Sequence, residues 1–164
     1  MSIRKNIEAL NKKIWQNDYV TIKPLETEKE LIYIGYECTL SESQKEMVNP
    51  VWFTMGRAYL FKEKNYPCVI YNKNNLPIGF INFYEWSGSS DAYSWSFYID
   101  RKEQGKGYGK SAGKLAIEIL QKACPNIIIK LATEQSNKKA QRLYQSLGFK
   151  ESSEKDGDDI VYVL

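Results

Sequence analysis

The chain has 164 residues, 43% hydrophobic and 26% charged, with a formal net charge of +3. That length fits one domain, residues 1–164, able to bury a core without metal or disulfide support. The composition argues against a disordered or membrane-embedded chain, and the small charge against a nucleic-acid or membrane-surface partner. Histidine is absent, which excludes Ser-His-Asp, Cys-His and histidine-ligated zinc chemistry and leaves a general base to a carboxylate or a relayed water.

In chain order, Ile3, Ile7, Leu10 and Ile14 fall at helical spacing, which predicts an added N-terminal helix over about 3–15. Tyr19 to Leu25 reads as a short strand, Thr27 to Tyr36 as a helix with Thr27 as N-cap, and about 51–63 as a further helix. Cys68–Tyr71 and Ile78–Glu85 flank Asn-Lys-Asn-Asn-Leu-Pro and predict a hairpin. Tyr93, Trp95, Phe97 and Ile99 alternate with smaller or more polar neighbours, the pattern of a half-buried strand over Ala92–Ile99. Ser111–Lys122 carries an apolar helical stripe, 127–131 an apolar strand, and Asn137–Leu147 a second stripe with Gly148 at the C-cap position. A last hairpin turns at Asp156-Gly157. The order predicts a mixed α and β fold around one sheet.

Cys38, Cys68 and Cys124 stand in no metal-ligand or CxxC spacing, which fits reduced, buried thiols in a cytoplasmic protein. The N-terminus has no continuous apolar region of a secretory signal. Charge is unevenly spread. Residues 24–50 hold Glu26, Glu28, Glu30, Glu37, Glu42 and Glu46 against Lys29 and Lys45, whereas residues 101–155 hold twelve Lys or Arg against five Glu. The second stretch favours an anionic ligand and the first a cationic one; the competing reading is two differently solvated faces.

The most informative stretch is Gln104-Gly105-Lys106-Gly107-Tyr108-Gly109-Lys110, between the strand ending at Ile99 and a helix. Glycines let backbone N–H groups approach a phosphate, and the helix start adds unpaired donors and a favourable dipole. A dinucleotide fingerprint would need glycine where Lys110 stands. A Walker A loop would need glycine at Gln104 and a Walker B aspartate that no apolar strand supplies. A nucleotide enzyme and a ligand-free structural turn remain as alternatives to a coenzyme loop.

Gln104-x-x-Gly107-x-Gly109 resembles the coenzyme A signature of the GNAT superfamily of N-acetyltransferases. Asn137-Lys-Lys-Ala-Gln-Arg-Leu-Tyr144-Gln-Ser-Leu-Gly148-Phe149 resembles that family's later motif. The resemblance covers about residues 92–149 and implies a central, mostly antiparallel sheet with splayed middle strands and helices on both faces. It implies acetyl-coenzyme A as cosubstrate, without metal. Phe97, Tyr98 and Ile99 would lie along the pantetheine arm. Gln104, Gly105, Lys106, Gly107, Tyr108, Gly109 and Lys110 would hold the pyrophosphate, with Asn137 on the pantetheine side. Tyr144 would protonate the leaving thiolate, a role open to a phenol that is still protonated at neutral pH. Its competing reading is a core tyrosine, and that of Asn137 an ordinary helix N-cap.

Where polyamine acetyltransferases of this superfamily carry an acid in the central strand, this chain has Trp95 between Ser94 and Ser96. Glu85, with Asp91 behind it, is the remaining carboxylate for general base, and a relayed water serves equally. Leu40-Ser-Glu42-Ser-Gln44-x-x-x-Val48-x-Pro50 and Ile78-Gly79-Phe80 resemble bacterial spermine/spermidine acetyltransferases. That implies a small-molecule polyamine acceptor bound by Glu42 and Glu46. Acetylation of a peptide amine or amino sugar is the alternative, as is a coenzyme A sensor without turnover. The N-terminal helix packs either in cis or on a second copy in a homodimer.

Overall fold

The computed structural model describes residues 2–11, 13–86 and 91–164, and places eight strands in one sheet. The chain runs α1 (Ile3–Glu8), β1 (Trp15–Gln16), β2 (Val20–Pro24), α2 (Glu28–Ile32), a π-helical turn (Tyr33–Glu37), α3 (Glu42–Met47) and α4 (Val51–Leu60). It continues through β3 (Asn65–Asn72), β4 (Pro77–Glu85), β5 (Ala92–Ile99), α5 (Tyr108–Ala123), β6 (Ile128–Thr133), α6 (Lys138–Ser146), β7 (Lys150–Asp156) and β8 (Asp159–Val163). The strand order is β1-β2-β3-β4-β5-β6-β8-β7. Every pairing is antiparallel except β5 with β6. The mixed α and β architecture, with helices on both faces, is as the sequence implies.

Strand alternation divides the core. Ile81 and Phe83 of β4 with Tyr93, Trp95 and Ile99 of β5 join Ala112, Leu115, Ala116 and Ile119 of α5 and Ile3 and Ile7 of α1. Phe80 and Tyr98 turn to the opposite face, where Val69, Tyr71, Tyr33 and Ile34 enclose a second cluster with Val51 and Met55 of α4 at its edge. Burying a side chain such as Ile3 or Ile7 completely is worth roughly 1.5–3 kcal/mol, enough to dock a short helix.

The elements differ from the expectations where local chemistry intervenes. The N-terminal helix stops at Glu8 rather than near 15. Asn11 takes a left-handed φ of 50°, and Trp15 instead pairs opposite Ile22 and packs edge-on against Tyr66. Ile14 is half-exposed, and Lys12, inside the expected helix, lies outside the described residues. The helix after Thr27 has a full capping box with Glu30, but widens at Tyr33, where the Cys38 N–H reaches back to the Tyr33 carbonyl at 2.8 Å. The helix at 51 breaks at Phe61. Helix α3 was not expected; Ser41 and Gln44 form its capping box, a signal that sequence alone contained. Burial pushes the Cys38 thiol up to about 11 and that of Cys68 well above its usual value, so neither supplies a thiolate at neutral pH.

Candidate functional site

β5 and β6 pair only at Ala92 with Ile128 and Tyr93 with Ile129. Beyond these the two strands part, β5 continuing to Ile99 against β4 and β6 to Thr133 against β8. Backbone groups that β5 turns toward β6 past Tyr93 therefore have no strand partner. Such groups must be satisfied by something, and an extended chain with amides of its own can do so. Phe97, Tyr98 and Ile99 lie on this unpaired stretch. Phe97 points toward the start of α5, Tyr98 stacks at a tilt on Phe80 with ring centroids 5.8 Å apart, and Ile99 is buried.

The anion loop sits at the open end of that cleft. Gly105 and Gly107 adopt φ of 78° and 83°, a conformation L side chains rarely take, and Gly107 is the N-cap of α5. Only the N–H of Ser111 begins the helical ladder, by reaching the Gly107 carbonyl at 3.1 Å. The N–H groups of Tyr108, Gly109 and Lys110 therefore have no helical acceptor, and the dipole of a 16-residue helix points at them. A Cβ on Gly109 would lie 4.0 Å from both Phe97 and Leu143, so the helix start closes on β5 and α6. The Lys106 ammonium is held by Glu103 at 2.8 Å, the Tyr108 ring packs on the core, and Lys110 is exposed. The residues present fit a pyrophosphate: open backbone donors, positive φ at two glycines, and, among the described residues, nothing within 4 Å of where a Cβ on Gly105 or Gly107 would stand.

Gln104 uses its carboxamide within the protein. Its Nε2 donates to the Ile99 carbonyl at 2.9 Å and to Gln44 Oε1 at 3.1 Å, and its Oε1 accepts from Lys139 at 2.9 Å. Asn137 caps α6 by accepting from the Ala140 N–H at 3.1 Å. The capping role weighed for it is thus present, and its Nδ2 is not used in that bond.

Tyr144, on α6, packs against Tyr162 at 5.6 Å and Phe149 at 6.1 Å. Burial, and then the neighbouring Tyr84, Asp159 and Tyr162, push its phenol well above the usual range, so the hydroxyl stays protonated at neutral pH. Tyr84 was not singled out from sequence. It lies on β4 opposite Ser94; burial and Asp156 raise its phenol while the Ser94 hydroxyl and Arg57 oppose the shift. Asn82, on the same face, donates to Asn65 at 2.9 Å.

Glu85 stands one residue beyond Tyr84, and alternation sends it to the other face. Its Oε1 accepts from the Ile3 N–H at 3.1 Å, while Asn6 of the same helix donates to the Tyr93 hydroxyl at 2.6 Å. Trp95 also faces α5, edge-on to Phe149, leaving Ser94 and Ser96 on the Tyr84 face. Glu42 and Glu46 are exposed on α3, with Glu42 paired to Lys45 at 2.8 Å. Sequence reasoning missed a second acidic group. A cavity of about 600 Å3 is lined by Glu134, Gln135, Ser136, Asp156, Asp158 and Asp159, where β6 ends and β8 begins. Burial and then Glu134, Asp156 and Asp158 raise the Asp159 carboxyl, the signature of acids crowded together. The hairpin turn at Asp156 was legible; its meeting with Glu134 was not, because that depends on β8 inserting beside β6.

A sheet whose parallel central pair parts beside a glycine-rich helix start has the frame of an acyl-coenzyme A transferase. The chain belongs to the acetyltransferase (GNAT) family, whose model matches residues 30–149, and is an acetyl-coenzyme A-dependent N-acetyltransferase. No curated protein sequence matches it significantly. Among solved structures it is similar to an aminoglycoside acetyltransferase in complex with coenzyme A, with TM-score 0.68 and 21% identity over 88% of this chain and 92% of that one. It is also similar to spermidine N-acetyltransferase from Vibrio cholerae in complex with CoA and spermine, with TM-score 0.69 and 18% identity over 90% and 94%. A third is RimJ from Mycobacterium smegmatis in complex with CoA-disulfide, with TM-score 0.70 and 13% identity over 88% and 81%.

Proposed function

We propose that the acceptor is a polyamine and that the acetyl group is transferred to one of its primary amines. The observation that carries this reading is charge placement beside the tyrosine pair. Asp156 and Asp159 lie near enough to raise the phenols of Tyr84 and Tyr144, and with Glu134 and Asp158 they line a cavity. None of the four forms an ion pair among the described residues. A long polycation offers such carboxylates their missing counter-charge. Glu42 and Glu46 on α3 would add a second, weaker field, since exposed acids are screened within about 10 Å by ordinary salt.

In this reading bound coenzyme supplies the activated acetyl thioester. The N–H groups of Gly105 to Lys110 would hold its pyrophosphate, the edge of β5 from Phe97 to Ile99 that β6 leaves unpaired would orient the pantetheine arm, and Asn137 would bind on the pantetheine side. Tyr144 donates the proton that the departing thiol needs. With Glu85 occupied by the Ile3 N–H, the attacking ammonium loses its proton to a relayed water. The domain is the whole chain, and the N-terminal helix docks in cis through Ile3 and Ile7.

An amino sugar is also cationic and fits the same charges, and the similarity to an aminoglycoside acetyltransferase keeps it in view. Initial rates of thiol release with spermidine, spermine, an amino sugar and a peptide N-terminus separate these readings. A polyamine is expected to give the highest kcat/KM; a higher value for the sugar or peptide sinks the polyamine assignment and leaves the transferase intact.

A further inference from the structure

Asp100 follows the last residue of β5 and is 6% exposed. Its Oδ1 accepts from the Thr39 hydroxyl at 2.8 Å and the Lys102 N–H at 3.2 Å, and its Oδ2 from the Tyr33 hydroxyl at 3.4 Å. The Arg101 N–H donates to the Thr39 carbonyl at 2.8 Å, so Thr39 is gripped by side chain and backbone together. Gln104 then reaches Gln44 Oε1, which also accepts from the Ser41 N–H at 3.2 Å and the Ser41 hydroxyl at 3.1 Å. One oxygen thus joins the cap of α3 to the residue that opens the anion loop. Among the described residues, every hydrogen bond leaving the 39–47 segment ends on Asp100, Arg101 or Gln104. The helix α3 buries no side chain of its own.

We propose that Asp100 and Gln104 form a clasp through which coenzyme held at residues 105–110 sets the position of the 39–47 segment, so that coenzyme and amine bind with positive coupling. The inference rests on the coenzyme reading of the loop. Both Gln104 N–H hydrogens and its carbonyl oxygen are committed to the protein, so Gln104 is a positioning residue rather than a phosphate ligand. Any force that orders Gly105 acts on Gln104 next to it, and Gln104 is bonded on its other side to the α3 cap. The left-handed glycines permit alternative loop conformations in the free protein, and ligand binding selects among them. Coupling of this kind is reciprocal and typically spans about 5–150-fold in affinity.

Amide hydrogen exchange of the full chain with and without coenzyme A tests this. Residues 39–47 are expected to gain protection when coenzyme A binds, together with 105–110. In Gln44→Ala the gain at 39–47 disappears, the affinity for coenzyme A alone stays within about twofold, and the amine KM at saturating acetyl-coenzyme A and the acetyl-coenzyme A KM at saturating amine both rise about fivefold or more. Gln44→Glu keeps an oxygen for the Gln104 Nε2–H and restores both readouts. Coenzyme A binding that leaves 39–47 unchanged in the wild type would overturn the clasp alone. Failure to bind coenzyme A at all would remove the loop reading beneath it.

Discussion

The Glu85 carboxylate accepts the backbone N–H of Ile3 at 3.1 Å, so the acid that ends β4 serves the first turn of α1. Ser2 caps the same turn by accepting from the Lys5 N–H. An acid at a helix N-terminus also meets a favourable dipole.

Glu85→Ala should therefore act on stability. Loss of a helix-start acceptor costs about 0.5–2 kcal/mol, a fall in Tm of about 2–4 °C per kcal/mol for a chain of this size. The expected kcat between pH 7 and 9 is within about twofold of wild type. A folded variant whose kcat drops about a hundredfold would instead make Glu85 the base.

Tyr144→Phe should lower kcat by about ten- to a thousandfold with coenzyme affinity little changed, since the ring contacts with Tyr162 and Phe149 survive loss of the hydroxyl. Calorimetric titration with coenzyme A beside steady-state rates provides the check. Unchanged turnover would assign Tyr144 to the core alone.

Gly107→Ala should weaken coenzyme binding. A Cβ there meets nothing within 4 Å, so the cost is conformational: φ of 83° penalises any L side chain by about 1–2 kcal/mol. Relaxation of the loop moves the donors of Tyr108 and Gly109, and a rise in Kd of about 5- to 30-fold is expected. An unchanged Kd would place the phosphate elsewhere.

The pH dependence should have two separate parts. Activity should rise from about pH 7 to 9 as the amine is deprotonated, with no descending limb from Tyr144, whose phenol is raised. Stability should begin to fall at about pH 8, where the unfolded chain ionises Cys38 and Cys68 before the folded one does, and fall further above about pH 10. Burial raises Tyr66 to about 12 in the folded chain against about 10 unfolded. The unfolded state therefore releases its proton first, and the stabilisation, complete below about pH 10, is lost as pH climbs toward 12. Tyr66→Phe should flatten that fall in a series of thermal melts; an identical decline in the variant would deny Tyr66 any part.

Much of this was written in local sequence. The Ala92–Ile99 alternation, the glycine loop, the Asn137 cap and the Thr27 box each depend on residues within a few positions of one another, and the structure has them in place. What was not legible depends on residues far apart. The N-terminal helix ends early because Trp15 finds Ile22 and Tyr66, and the Gln104 carboxamide is bonded to Gln44 and Lys139. The bond from the Ile3 N–H to Glu85, between residues far apart in the chain, was likewise not legible. Tyr84, one residue earlier, turns to the opposite face of β4 by simple alternation, but its approach to Asp156 depends on the distant β7–β8 hairpin.

Thiol release from acetyl-coenzyme A, followed continuously with spermidine as acceptor, measures the central claim most directly. Saturable release is expected that requires both substrates, rises with pH to about 9, and weakens with added salt through the amine KM more than through kcat. A folded protein that binds coenzyme A and releases no thiol with spermidine, spermine, an amino sugar or a peptide amine would contradict it.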